Sequence, residues 1–128
     1  MYYLFGMKQK FKALSVGVAC MGTCVVAEDI PLRSSDVLFG QSDLEALARG
    51  QVLTFFDNGQ SQFYDDGRYT YTYANDGGVV YGYFEVTDES TICIEFVNGF
   101  SRCGAYVTDV QGRLVVITER GDRFPVRP

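Results

Sequence analysis

From Gly50 onward the chain is interrupted at short intervals by turn-forming residues: Asp57-Asn58-Gly59, Asp65-Asp66-Gly67, Asn75-Asp76-Gly77-Gly78, Thr87 to Ser90, Asn98-Gly99 and Asp109 to Gly112. Asp and Asn reverse a chain by hydrogen bonding their own backbone, and Gly supplies left-handed dihedrals without steric cost. Between them lie Tyr-, Phe-, Val-, Ile- and Thr-rich stretches at 51–56, 60–64, 68–74, 79–86, 91–96, 100–108 and 113–119, with a further candidate at 124–127. Connections this short cannot carry a chain across a sheet, so each strand must lie antiparallel beside the next. The sequence therefore predicts a mainly β fold, an antiparallel meander of seven or eight strands. Ser42-Asp43-Leu44-Glu45 spells a capping box and Gly50 a stop, which predicts one short helix ahead of the first strand.

The third hairpin shows how the sheet must hide its bulk. A two-residue turn on Asp76-Gly77 pairs Tyr69 with Phe84, Tyr71 with Gly82 and Tyr73 with Val80 on one face, Gly82 making room for a tyrosine ring. The other face then pairs Thr70 with Tyr83, Thr72 with Tyr81 and Arg68 with Glu85. One face is thus loaded with large apolar area, and a sheet of this width covers such a face by closing into a small barrel or half-barrel. Tyr81, Tyr83, Thr70 and Thr72 on the opposite face form the candidate contact patch, since tyrosine brings apolar area and a polar handle to an interface.

The N-terminal stretch bears on compartment. Lys8, Lys10 and Lys12 precede an uncharged, mostly apolar run from Ala13 to Ala27, and Val25-Val26-Ala27 stands before Glu28. This is the pattern of a secretory signal cleaved between Ala27 and Glu28, with Met7 as an alternative start. The run is shorter than the roughly 20 residues a membrane-spanning helix needs. Cys20 and Cys24 invite lipid attachment, but neither has leucine three residues before it. The expected organisation is a signal peptide at 1–27, a flexible lead-in at 28–41 and one β-domain at 42–128. All three lysines lie in the signal, leaving eight arginines against sixteen acids, a net charge of about −8. Singly scattered arginines on so acidic a chain point away from nucleic acid and anionic membranes and toward a basic protein partner.

Cys93 and Cys103 then remain in a compartment that oxidises thiols. Zinc would require further Cys or His, and a reactive thiol a neighbouring base, whereas the chain contains no histidine. A three-residue loop Val97-Asn98-Gly99 sets Cys93 directly opposite Cys103, as a disulfide requires. Facing is left open. Ile92, Ile94 and Phe96 pointing inward put Cys93 outward, yet the partner strand is more apolar on the side of Cys103, Ala105 and Val107. Either the outside is partly covered there or a bulge shifts one strand.

No other constellation carries chemistry as well. The Asp/Asn/Gly turns match no calcium-loop pattern, and turn chemistry alone accounts for them. Asp65-Asp66 and Asp88-Glu89 are adjacent pairs whose side chains diverge, and Arg120-Gly121-Asp122 is a short exposed turn. Without His, an activated nucleophile or a metal motif, the residues point to a noncatalytic protein with no cofactor.

The order of signal peptide, short helix at 44–47, Gly50, Thr54, Asp66-Gly67-x-Tyr69, Gly82-x-Phe84-x-Val86, Ile92-Cys93-Ile94 and Cys103 resembles small secreted β-domains of Gram-negative bacteria. In that pattern the residue at 84 is commonly Trp. The broad architecture is also similar to periplasmic inhibitor domains and lipocalin-like barrels. The resemblance implies a periplasmic or secreted binding domain, foremost an inhibitor of a basic enzyme. A small apolar-ligand binder using the barrel interior and an envelope structural or stress protein are the alternatives. Protein recovered from its native compartment is expected to begin at Glu28 and to lack free thiols by intact mass; an uncleaved chain with free Cys93 and Cys103 would refute export.

Overall fold

The computed structural model describes residues 29–128. The proposed signal, the Ala27/Glu28 junction, Cys20 and Cys24 lie outside the described residues. Ten elements follow: β1 (Val37–Leu38), α1 (Gln41–Ala48), β2 (Val52–Thr54), β3 (Gln60–Phe63), β4 (Arg68–Thr72), β5 (Val79–Val86), β6 (Ile92–Phe96), β7 (Ser101–Thr108), β8 (Leu114–Thr118) and β9 (Arg123–Pro125). Strands β2 to β9 lie side by side in chain order, every pair antiparallel. The sheet curls until its edges meet at one bridge, Phe55 to Val126. Arg127 clamps that seam: its N–H donates to the Thr54 carbonyl, and its guanidinium donates to the carbonyls of Phe55 and Phe56 and to Asn58 Oδ1. The meander, the barrel-like curl and the single helix expected from the sequence are therefore the architecture.

Turn chemistry sets the registers. Asp57 Oδ1 accepts from the Gly59 N–H, Asp66 Oδ1 from Arg68, Asn98 Oδ1 from Phe100 and Asp109 Oδ1 from Gln111, each two residues on. The β4–β5 hairpin corrects the expectation. Its turn runs Ala74 to Gly77 and is centred on Asn75-Asp76, both left-handed at φ 57 and 59°, with the Gly77 N–H bonded to the Ala74 carbonyl. Asn and Asp tolerate that region better than other non-glycine residues. Moving the turn one residue back shifts the pairing by two: Tyr69 opposes Gly82, Tyr71 opposes Val80, Thr70 opposes Tyr81 and Arg68 opposes Tyr83. The faces survive because side-chain alternation has period two. The Arg68–Glu85 pair does not form, and Arg68 bonds Asp66 at 2.8 Å instead.

Gly82 is also needed for another reason than expected. A Cβ there would stand 2.5 Å from the Glu95 carbonyl oxygen and 3.0 Å from Phe96 Cα, so the constraint is the β6 backbone rather than a tyrosine ring. The capping box is not used either. The helix starts at Gln41 behind Gly40 without a side-chain cap, two residues ahead of the start that Ser42 as cap would give, and the preceding Phe39 N–H is bonded to the Tyr106 carbonyl. From there Leu44 and Ala48, four residues apart, point into the sheet and are fully buried.

Two cores result. Inside the curl Leu44, Leu53, Phe63, Tyr69, Phe84, Ile92, Ile94 and Tyr106 pack together, with Phe63 edge-on to Phe84 at 5.0 Å. Outside, Ala105, Val107, Val115 and Ile117 of β7 and β8 form a second cluster, roofed by Ile30 and flanked by Leu38. Cys103, Ala105 and Val107 therefore face outward without a bulge; their apolar character serves the cover, and Ile92 and Ile94 remain inside. The strand β1, which the sequence did not announce, supplies part of that cover by pairing with the end of β7 where β6 has left it.

A buried ion pair pins the cover. Asp36 accepts two hydrogen bonds from Arg123 of β9, both 2.9 Å, and one from the Arg33 N–H at 2.7 Å. The side chains are 1% and 16% exposed, respectively, for Asp36 and Arg123. These bonds, Arg123's foremost, hold the Asp36 carboxyl below the usual carboxylate range against the opposing effect of burial. A carboxylate with a depressed folded-state pKa contributes stability above its unfolded pKa of about 3.9, and that contribution is lost as pH falls through the folded value. Thermal stability is thus expected to fall below about pH 4. Asp36→Asn should flatten that acid limb and cost about 3 kcal/mol at neutral pH, since it strands Arg123. An unchanged acid limb in Asp36→Asn would show that another carboxylate governs it.

Candidate functional site

Two surfaces offer more than packing, and the first is the outer face of β4 to β7. Alternation along β5 turns Tyr81, Tyr83 and Glu85 outward while Gly82, Phe84 and Val86 are buried. Tyr81 is 57% and Tyr83 60% exposed, though both are large rings. Thr70 and Thr72 share this face, so all four patch residues stand together, but Thr70 opposes Tyr81 and Thr72 opposes Val79. Tyr83 sits between Arg68 on β4 and Glu95 on β6.

The disulfide belongs to the same surface. Cys93 and Cys103 are cross-strand partners with Cα atoms 4.0 Å apart, joined as the hairpin geometry required. Gly99 takes φ 97° in the loop below them. Around the bridge runs a shallow groove of about 440 Å³ whose walls include Tyr83, Glu85, Glu95 and Ser101. Glu85 opposes Cys93 and Glu95 opposes Ser101, so two carboxylates flank the sulfurs and one exposed ring. Neither forms an ion pair among the described residues. At the groove's far edge the Thr87 and Thr91 hydroxyls are 2.7 Å apart.

The second surface is the mouth of the curl. In a meander alternate turns share an end, so the β2–β3, β4–β5, β6–β7 and β8–β9 connections gather at one rim, while α1 packs at the other end beside the β3–β4 turn, where Arg49 reaches the Asp65 carbonyl. Leu44 and Ala48 close the helix end. The rim end keeps a cavity of about 300 Å³ lined by rings from Phe55, Tyr71, Tyr73, Phe96 and Phe124, with Asp57 and Arg102 as its charged members.

Arg102 was not singled out from the sequence, where each arginine stood alone. The signal was nonetheless present: with Cys93 opposite Cys103, residue 102 must oppose Ile94 and point inward. Its guanidinium donates to the Tyr69 hydroxyl at 3.0 Å, which in turn shares a 2.7 Å hydrogen bond with buried Ser61. The Phe96 and Tyr71 rings flank it at 5.7 and 6.0 Å. Burial pushes the Tyr69 hydroxyl up in pKa, and it does the same to Tyr71 with the nearby Asp57 charge adding to it, so both stay neutral hydrogen-bonding groups at physiological pH.

Among the described residues no cluster of His, Cys, Asp or Glu is placed to hold a metal ion, and no helix is long and apolar enough to cross a membrane. No protein-family model, curated protein or solved structure matches this chain.

The disulfide ties β6 to β7, two of the three strands that present the acidic groove. Replacing it by Cys93→Ser/Cys103→Ser is expected to cost about 2–3 kcal/mol, for so short a loop, and to lower the melting temperature under oxidising conditions. Unchanged melting would show that the ladder alone holds these strands in register.

Proposed function

We propose that this protein is a noncatalytic periplasmic or secreted binding domain that holds a basic protein partner on the outer face of β4 to β7. The observation that carries this reading is the placement of exposed Tyr81 and Tyr83 beside Glu85 and Glu95 on one disulfide-tied surface. Rings with a polar tip supply the desolvated anchors of an interface, and flanking carboxylates select the charge of what docks there. Val97, 72% exposed, lines a recess with Tyr81 and Tyr83 and widens the apolar contact.

Charge agrees with this choice of partner. Residues from Glu28 onward carry about −8, so a cationic target is drawn in before contact, and an anionic one is repelled. Export is supported by the disulfide, a bond that persists where thiols are oxidised. Inhibition of a basic enzyme is the form of binding favoured by the similarity in broad architecture to periplasmic inhibitor domains; an envelope assembly role would use the same surface. The mouth cavity supports a second, small-ligand reading, because about 300 Å³ is the lower bound for a ligand pocket.

Affinity capture from periplasmic extract at low and moderate salt tests the leading reading. One basic protein should be retained by the unmodified domain, retained weakly by Tyr81→Ser/Tyr83→Ser, and captured more slowly and with less salt dependence by Glu85→Gln/Glu95→Gln. Capture indifferent to both double variants would remove this face from consideration.

A further inference from the structure

We propose that the mouth of the barrel is a second binding site, independent of the outer face, that takes a small arylalkanoic acid with its ring between the rim aromatics and its carboxylate on Arg102. The argument begins with the arginines. Five of the eight form ion pairs with carboxylates, at positions 49, 68, 113, 120 and 123, Arg127 is spent on the seam, and Arg33 is exposed to solvent. Arg102 is different. It points into the barrel, it is partly buried among aromatic rings, and its guanidinium makes one hydrogen bond among the described residues, to a neutral tyrosine. A guanidinium has five N–H donors, and desolvating it against an aromatic wall is costly unless an anion or further acceptors complete it. Among the described residues no carboxylate lies within ion-pair distance of this arginine.

The cavity selects the rest of the ligand. Guanidinium matches a carboxylate with two parallel hydrogen bonds, which fixes direction as well as charge. Asp57 lines the same cavity, so a monoanion is tolerated and a multiply charged phosphate is opposed. The walls are rings, with Phe55 and Tyr71 centroids 6.4 Å apart and Tyr71 edge-on to Tyr73 at 5.0 Å, a lining suited to offset or edge contact with another ring. Size disfavours a long chain. Tyr69, Ile94, Phe63 and Phe84 pack together as buried core of the barrel, so a cavity of about 300 Å³ suits a short acid better than a long alkyl tail.

The probe is 3-phenylpropionate, titrated into the whole disulfide-bonded protein by NMR and calorimetry beside its amide, decanoate and inorganic phosphate. The acid is expected to bind at least tenfold tighter than the amide, with chemical-shift changes confined to the cavity lining, foremost Phe55, Tyr71, Tyr73, Phe96, Arg102 and Phe124. Decanoate and phosphate should bind more weakly. Arg102→Met keeps much of the stem that packs on the rings and removes the charge; it should abolish the preference for the acid over the amide. Arg102→Lys, which keeps the charge without the fork, should retain part of that preference and guards against loss of fold in the first variant. N-acetyl-glycyl-phenylalanine presents the same ring and carboxylate as a peptide C-terminus. If it binds tighter than the free acid, the source is a peptide; if weaker, a free metabolite, and either supports the site. Equal binding of acid and amide, tighter binding of decanoate or phosphate, shift changes elsewhere, no binding of the acid, or an Arg102→Met variant that keeps the preference would each overturn the proposal.

Discussion

One antiparallel sheet can bury only the face around which it curls, and here most of the large apolar side chains of β3 to β6 fall on that face. Phe63, Tyr69, Phe84, Ile92 and Ile94 alternate with smaller or polar residues, so the strands must roll until these rings and branched chains meet. Rolling brings the first and last strands of the meander together, where Arg127 and the Phe55–Val126 bridge join them. Everything else in the molecule is arranged around that curl: an outside, a closed end and an open end.

The outside is divided unequally. Over β7 and β8 the outward residues are Ala105, Val107, Val115 and Ile117, too apolar to meet water, and the segment carrying Ile30 and Leu38 lies across them. The cover is held by directional bonds as well as by apolar contact, because Asp36 is bonded to Arg123 at both oxygens. Over β4 to β6 no described segment lies, and the outward residues are mainly tyrosine, threonine and glutamate, with Arg68, Val79 and Cys93 among them. These suit a surface that is wet when free and dry when bound. The disulfide stands between the two regions and ties β6 of the bare half to β7 of the covered half.

The two ends differ for a simpler reason. A short helix of eight residues has enough apolar surface, in Leu44 and Ala48, to stop one end of so narrow a barrel. Among the described residues the other end is ringed by hairpin turns, whose polar and glycine residues leave it open. Its rings therefore remain partly accessible, and Arg102 stands among them without an ion pair among the described residues. Filling at one end and a recess at the other reconcile the crowded interior expected from so many Tyr and Phe residues with the presence of a cavity.

Much of this was legible in the residue order. The strand count, the antiparallel order, the curl and the Cys93–Cys103 pairing depend on local turn chemistry and period-two alternation, which act between residues close in sequence. Even the hairpin that slipped by two kept its faces, because an even shift preserves alternation. The outward cysteines looked inconsistent with an apolar partner face, since what resolves them is Ile30, far away along the chain. Arg102 next to Tyr69, the Asp36–Arg123 clamp and the seam at Arg127 bring together residues separated by 33, 87 and 72 positions, respectively. Alternation alone determined which way each side chain faces. Only tertiary closure decided what it would find there, because distances across a curled sheet depend on the whole roll and on no short stretch of sequence.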